Sequence, residues 1–156
     1  MTQHELAAVV NLRSVKMSYC FVGSQYHFPS TAVSLGHQND GAGKLWTAVA
    51  NTQHGLVGGK AKGDTCWYSY DGREHTTKDF SWLTAPEGRV VTVRNMGSTP
   101  PGAVCFGQQS DKKEYYAALA KCHQGLIPGK ALGNTCWYPH GGKEHLTSDF
   151  FWLVAA

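Results

Sequence analysis

Side chains capable of chemistry recur in this sequence at fixed spacings. Cys66 precedes His75 by the same interval that separates Cys136 from His145. Cys and His are common zinc ligands, but a zinc site takes four donors with tightly paired spacing, and each of these places offers two. Free Cys is also among the most often buried residues, so no metal and no cofactor are expected. Gly55 to Lys60 has the outline of a phosphate-cradling loop. That loop requires Gly-x-x-x-x-Gly-Lys-Ser/Thr, whereas His54 fills the first Gly position and Ala61 the hydroxyl position, with Gln124 and Ala131 at the matching places downstream. Cys122-His123 are neighbours, yet the matching pair upstream is Thr52-Gln53. Catalysis needs a nucleophile or an acid–base pair in a defined pocket, and no motif names one. The chain reads as a protein that is not an enzyme.

The matching places arise from a duplication. Shifted by 70 residues, the stretch from Trp46 to Leu83 lies on that from Tyr116 to Leu153 with 20 of 38 positions identical. The shared blocks include Gly59-Lys60-Ala61 on Gly129-Lys130-Ala131, Thr65-Cys66-Trp67-Tyr68 on Thr135-Cys136-Trp137-Tyr138, and Glu74-His75 on Glu144-His145. Upstream the offset becomes 71, placing Pro29 to Gly36 on Pro100 to Gly107 and Asp40 on Asp111. The extra residue falls between Asp40 and Trp46, where a loop tolerates it. Residues 26–83 form repeat one, 84–95 a connecting strand or linker, and 96–156 repeat two. Residues 1–25 are an N-terminal extension, with 6–15 a candidate for one more strand.

Short apolar runs recur about every ten residues between Gly, Pro, Asn and Asp turns, the rhythm of an all-β domain. Trp46 to Asn51 and Tyr116 to Lys121 hold helix-favouring Ala and Leu, but they are short, and Val, Thr and Trp in the first copy favour strands. A β unit of about 60 residues is marginal alone. Two tandem β-repeats packed with pseudo-twofold symmetry around a shared core are therefore expected, with equivalent residues at two equivalent sites.

Composition narrows the partners. The chain has 156 residues, 42% of them hydrophobic and 16% charged, with a formal net charge of +3. Lys112-Lys113 is the longest basic run, and nucleic-acid binders usually show a basic stripe that displaces counterions from phosphate. No apolar run approaches the roughly 20 residues of a membrane helix. Neither nucleic-acid binding nor membrane insertion is expected. Five cysteines at irregular spacing do not make a disulfide scaffold. No signal-peptide pattern is seen, and the expected location is cytoplasmic, or outside the cell after release by an unconventional route.

The repeat resembles the DM-nine repeat, whose motif runs Pro-x-x-Ala-Val-x-x-Gly, an Asp, an aromatic strand, Gly-x-x-Pro-Gly-Lys, then Gly-Gly-Lys-Glu-His. Copy two holds nearly all of it: Pro100 to Gly107, Asp111, Gly125 to Lys130 and Gly141 to His145. Copy one departs at Gly58, where the motif has Pro, and at Asp71-Gly72-Arg73, where it has Gly-Gly-Lys; a looser loop at site one would follow. The resemblance covers roughly residues 26–154. It implies a mannose-recognising lectin of invertebrate innate immunity in which an Asp and the Lys of Pro-Gly-Lys contact the sugar. These are Asp40 and Lys60 in copy one, Asp111 and Lys130 in copy two.

The chemistry suits that role. A carboxylate accepts from two adjacent sugar hydroxyls while an ammonium donates to their oxygens, and such charge-assisted bonds are stronger than neutral ones. A Gly beside the Lys would let backbone approach the ligand. The competing reading is a surface ion pair worth roughly 0–1 kcal/mol. Glu74, His75, Glu144 and His145, on an expected turn, are secondary candidates or turn locks. Trp46 and Tyr116 would border the pocket, while Trp67, Trp82, Trp137 and Trp152 read as core. The expected partners are mannose or mannose-containing glycans, among them microbial surface polysaccharide. A homodimer, joined through residues 1–25 or an exposed edge strand, would multiply weak sites. The alternative is a non-catalytic intracellular interaction or stress-response scaffold that binds no sugar.

Overall fold

A computed structural model describes residues 18–156, and among these there are fourteen strands and no helix. The first seven are β1 (Cys20–Gly23), β2 (Gly36–Gln38), β3 (Gly43–Thr52), β4 (Gly55–Lys62), β5 (Thr65–Tyr70), β6 (Arg73–Thr77) and β7 (Phe80–Thr84). The second seven follow as β8 (Val90–Arg94), β9 (Cys105–Gln108), β10 (Glu114–Cys122), β11 (Gly125–Leu132), β12 (Thr135–His140), β13 (Lys143–Thr147) and β14 (Phe150–Ala155). The segment 84–95 contains β8, which lies on β14 with Val93 opposite Trp152, as β1 lies on β7 with Val22 opposite Trp82. The strand expected within 6–15 lies outside the described residues.

Neighbouring strands run β1-β7-β3-β4-β5-β6-β13-β12-β11-β10-β14-β8. Near the middle of this path β6 meets β13 through Arg73 and Lys143, and the two copies join there. β2 pairs with both β3 and β11, closing an eight-stranded ring of β2, β3, β4, β5, β6, β13, β12 and β11. A bridge between Gly55 and Gln109 makes the corresponding link from the second copy back to β4.

The segments whose composition left helix open are strands β3 and β10, each paired on both sides. Their alanines make room for neighbouring indoles: Ala48 stands opposite Trp82, and Ala118 opposite Trp152. That steric demand outweighs the helix preference of Ala. These faces form two equivalent clusters, Ala48, Ala50, Ala61, Cys66, Phe80 and Trp82 in copy one, with their counterparts around Trp152 in copy two. The opposite faces meet in a core drawn from both copies, with Val49 and Leu83 beside Phe106, Leu119 and Leu153. Trp82 and Trp152 are thus core residues, as their setting in apolar strands implied.

The Gly/Pro-Gly-Lys segment is no loop: it lies inside β4 and β11, so the exchange of Pro128 for Gly58 alters strand packing. The reason is visible across the copies. A Cβ on Gly58 would stand 2.0 Å from Cε2 of Phe106, whose ring takes up the space a side chain there would need. On the other side Pro128 lies against Gly36, and Leu35 takes the position corresponding to Phe106. Overpacking a tight interior site costs about 1–3 kcal/mol. Gly58→Ala should therefore lower the thermal midpoint by that equivalent, and Phe106→Leu in the same chain should recover most of the loss. Chemical unfolding of the two single variants and the double variant measures the coupling.

Candidate functional site

Lys60 stands on β4 opposite Thr47 of β3 and Trp67 of β5. Directly paired residues share a face, and Thr47, two residues before Val49 of the shared core, points to the same side as Val49, so the lysine is turned inward. Lys60 and Lys130 are only 5% and 3% exposed, and a buried ammonium needs partners. Lys60 Nζ donates to Gln38 Oε1 at 2.6 Å and lies 3.6 Å from Glu74 Oε2. Lys130 Nζ donates to the Ser69 carbonyl of the other copy at 2.8 Å and lies 3.7 Å from Glu144 Oε2. It also sits 5.3 and 5.4 Å from the ring centres of Tyr70 and Tyr115. The ion pairs are thus Lys–Glu, not the Lys–Asp pairs of the surface reading.

The glutamates tie the copies together. Glu74 Oε1 accepts from the Gly142 N–H and Glu144 Oε1 from the Gly72 N–H, each at 3.1 Å. Their own N–H groups donate back to the Gly142 and Gly72 carbonyls. Both acceptor turns, Asp71-Gly72 and Gly141-Gly142, are two-residue hairpins in the left-handed region, with φ from 52° to 82°, the geometry that Asp-Gly and Gly-Gly favour.

The aspartates sit on loops ahead of β3 and β10, each fixed by its own turn. Asp40 accepts the Ala42 N–H at 3.1 Å and the Gln38 amide at 3.0 Å. These bonds, the backbone one foremost, hold its carboxyl below the usual range. Asp111 accepts the Lys113 N–H at 2.9 Å and the Tyr115 hydroxyl at 2.7 Å. Burial pushes its pKa up, but these bonds outweigh it, and the net shift is downward.

Each Asp, Lys and Glu triad lines one hollow whose far wall belongs to the other copy. Hollow one, about 330 Å³, is lined by Gln38, Asp40, Leu45, Lys60, Lys62, Trp67 and Glu74, with His140 and Gly141 from copy two. Hollow two, about 400 Å³, is lined by Gln109, Asp111, Tyr115, Lys130, Trp137 and Glu144, with Tyr70 and Asp71 from copy one. A groove of about 440 Å³ between residues 30–35 and 85–88 is lined by small and apolar groups around a single carboxylate, Glu87. It lacks the convergent polar groups of a specific site.

The other candidates divide. Glu74 and Glu144 line the hollows. His75 and His145 do not: their Nε2 atoms lie 3.2 and 2.9 Å from the Tyr70 and His140 carbonyls, and their rings stack on Tyr68 and Tyr138, bracing the hairpins. Trp46 packs against Phe28, and Tyr116 against Trp152, both away from the hollows. The indoles at the hollows are Trp67 and Trp137. Period-2 alternation held the signal, since in a strand the neighbour of a buried Cys66 or Cys136 faces the other way. Gln38 and Gln109 were also missed, although the 71-residue offset aligns them. Gly59 and Gly129 have a packing role: a Cβ there would lie 2.1 and 2.3 Å from the Trp67 and Trp137 carbonyl oxygens, so they permit close strand approach.

A family model described as DM9 repeat matches residues 44–147. Among curated proteins none matches the sequence. The crystal structure of the nematode sperm cell motility protein MFP2B is similar in fold, with a TM-score of 0.62 at 14% identity. The likeness covers 88% of this chain and 46% of that one, so the chain spans less than half of its length.

Burial depresses the ammonium of Lys130 from 10.5 to about 8, against the opposing pull of Glu144 and Asp111; burial likewise lowers Lys60. Between those two pH values the folded chain binds fewer protons at Lys130 than the unfolded chain, so this group's contribution to stability rises with pH. The buried thiols of Cys66 and Cys136, shifted upward by burial, act in the opposite sense. Comparison with Lys130→Met cancels them. Relative to that variant, the wild type should gain roughly 2 kcal/mol between pH 7.5 and 9.5, read from denaturant unfolding. NMR of the lysine side chains should show one titrating near 8.

Proposed function

The chain belongs to the DM9 repeat family, and on that premise we propose that it is a carbohydrate-binding protein of lectin type that holds a hexose in each hollow. What most supports the reading is hollow two. Gln109 is 5% exposed, and its Oε1 has no hydrogen-bond donor among the described residues. It lines the same hollow as the Asp111 carboxylate, the Lys130 ammonium and the half-buried Trp137. An unmade hydrogen bond at a buried acceptor costs roughly 1–3 kcal/mol, and a sugar hydroxyl would relieve it. Carboxylate and amide oxygens accept from hydroxyls, the ammonium donates to them, and the indole offers a flat apolar surface to the C–H side of the ring.

Mannose and mannose-bearing glycans of microbial surfaces are the ligands proposed, with recognition in innate immunity as the role. A single polar hollow of this kind suits a millimolar site, about −4 kcal/mol. Two hollows per chain, doubled in a homodimer, would raise avidity by roughly 10²–10⁴ where the geometry allows. The second reading is a non-catalytic interaction scaffold, and the fold likeness to a sperm cell motility protein is what speaks for it.

A glycan array and a calorimetric titration with mannose separate the two. The wild type should retain mannose-terminated glycans. Asp40→Asn with Asp111→Asn, which alters exposed loop carboxylates, should weaken retention at least about tenfold, since each amide keeps one acceptor in place of two. A wild type that retains no saccharide would leave the scaffold reading standing in place of the lectin.

A further inference from the structure

The two hollows share a backbone but differ in charge. Hollow one sets two ammonium groups, Lys60 and Lys62, against two carboxylates, Asp40 and Glu74. Hollow two sets the Lys130 ammonium against three carboxylates, Asp71, Asp111 and Glu144. The difference comes from two positions. Lys62, opposite Thr65 on β5, corresponds to Leu132, opposite Thr135 on β12. Asp71 corresponds to Gly141, and both take the first left-handed position of their hairpin, at φ 52° and 62°. The strand register and turn geometry are unchanged between copies, so the substitutions act on what the hollow offers a ligand.

Two further groups reinforce the contrast. The tip of copy two gives hollow one His140, whose Nδ1 is buried with no hydrogen-bond partner among the described residues. Tyr70 holds that position at hollow two, where its hydroxyl is engaged with Ser110 Oγ at 2.9 Å. An imidazole Nδ1–H donates to an anion, and more strongly when the ring is protonated. Lys62 Nζ donates to the Ala42 carbonyl and keeps two further N–H groups. Hollow two instead has Asp71 on its lining, a carboxylate that forms no salt bridge among the described residues.

We propose that the hollows discriminate saccharides by charge. Hollow one takes a sugar bearing a carboxylate or a phosphate ester, while hollow two rejects such a sugar and takes a neutral or amino-bearing one. The proposal rests on the saccharide reading above and adds to it that one chain reads two kinds of sugar. Lys62, Asp71 and His140 are its specificity-determining residues.

Trp67 and Trp137, one per hollow, make the test site-resolved through their indole N–H signals in two-dimensional NMR. The probes are mannose, mannose 6-phosphate, glucuronate and glucosamine. Both anionic sugars should shift Trp67 with a Kd about tenfold below that of mannose, the scale of one unit charge near a protein surface, and leave Trp137 unmoved. Glucosamine should shift Trp137 in preference. The contrast should shrink as salt rises. Lys62→Leu, Asp71→Gly and His140→Tyr each install the other copy's residue and so respect the fold; together they should erase the discrimination between the two indoles. Equal responses of the two indoles to all four sugars would overturn the charge assignment and leave the lectin reading intact. Silence of both indoles toward every sugar would remove the saccharide reading itself, and this inference with it. A response to only one of the two anionic sugars assigns hollow one to a carboxylate or to a phosphate and upholds the proposal.

Discussion

Two carboxylates, Glu74 and Glu144, hold the centre of this molecule together. Each uses one oxygen to cap a backbone N–H of the opposite copy's hairpin turn and the other to face a buried lysine of its own copy. At 14% exposure both are partly withdrawn from water, where charge-assisted bonds are strong and the loss of one partner is costly. Their backbone N–H groups return the exchange. The turns can accept it because their left-handed backbone turns N–H and carbonyl groups outward. Seam, buried lysines and hairpin tips thus form one connected unit, repeated twice about the pseudo-twofold.

The hollows follow from that unit. A hairpin tip pinned across the seam becomes the far wall of the other copy's site, so neither copy encloses a complete hollow by itself. Burial of a lysine disfavours its charged form, as the lowered values at Lys60 and Lys130 reflect. An ammonium kept beside a polar hollow at that expense has its donors already oriented and stripped of water. The buried Gln109 acceptor of hollow two, without a donor among the described residues, is a second departure from the full pairing of buried polar groups.

Duplication fixed the frame and left the linings free to diverge. A large-for-small exchange in the core is matched between copies: Gly58 of one copy meets the large Phe106, while Pro128, in the place of Gly58, goes with the smaller Leu35 in the place of Phe106. Charge changes at the hollows are not compensated in this way, and Lys62 and Asp71 are exposed residues at the rim. Packing is thereby held to one solution while the charge of the lining varies from one hollow to the other.

Much of this was determined by the sequence alone. The internal offset announced two equivalent β units, Gly, Asn and Asp turns marked the strand ends, and the apolar runs around Trp82 and Trp152 marked the core. The family motif singled out Asp40, Lys60, Asp111 and Lys130, and each Asp shares a hollow with its Lys. What only the tertiary structure decided is which groups meet. The partners of Lys60 and Lys130 are glutamates, and the rest of each hollow comes from across the seam. Glu74 and Gly142 lie far apart along the chain, and nothing in local spacing encodes a hydrogen bond between them. Strand faces were hidden for a related reason: Trp67 looks like core in a linear reading, and its exposure to the hollow depends on which side of β5 the ring of strands encloses. Local pattern sets the elements, but contacts across a pseudo-symmetry axis exist only after both copies have folded against each other.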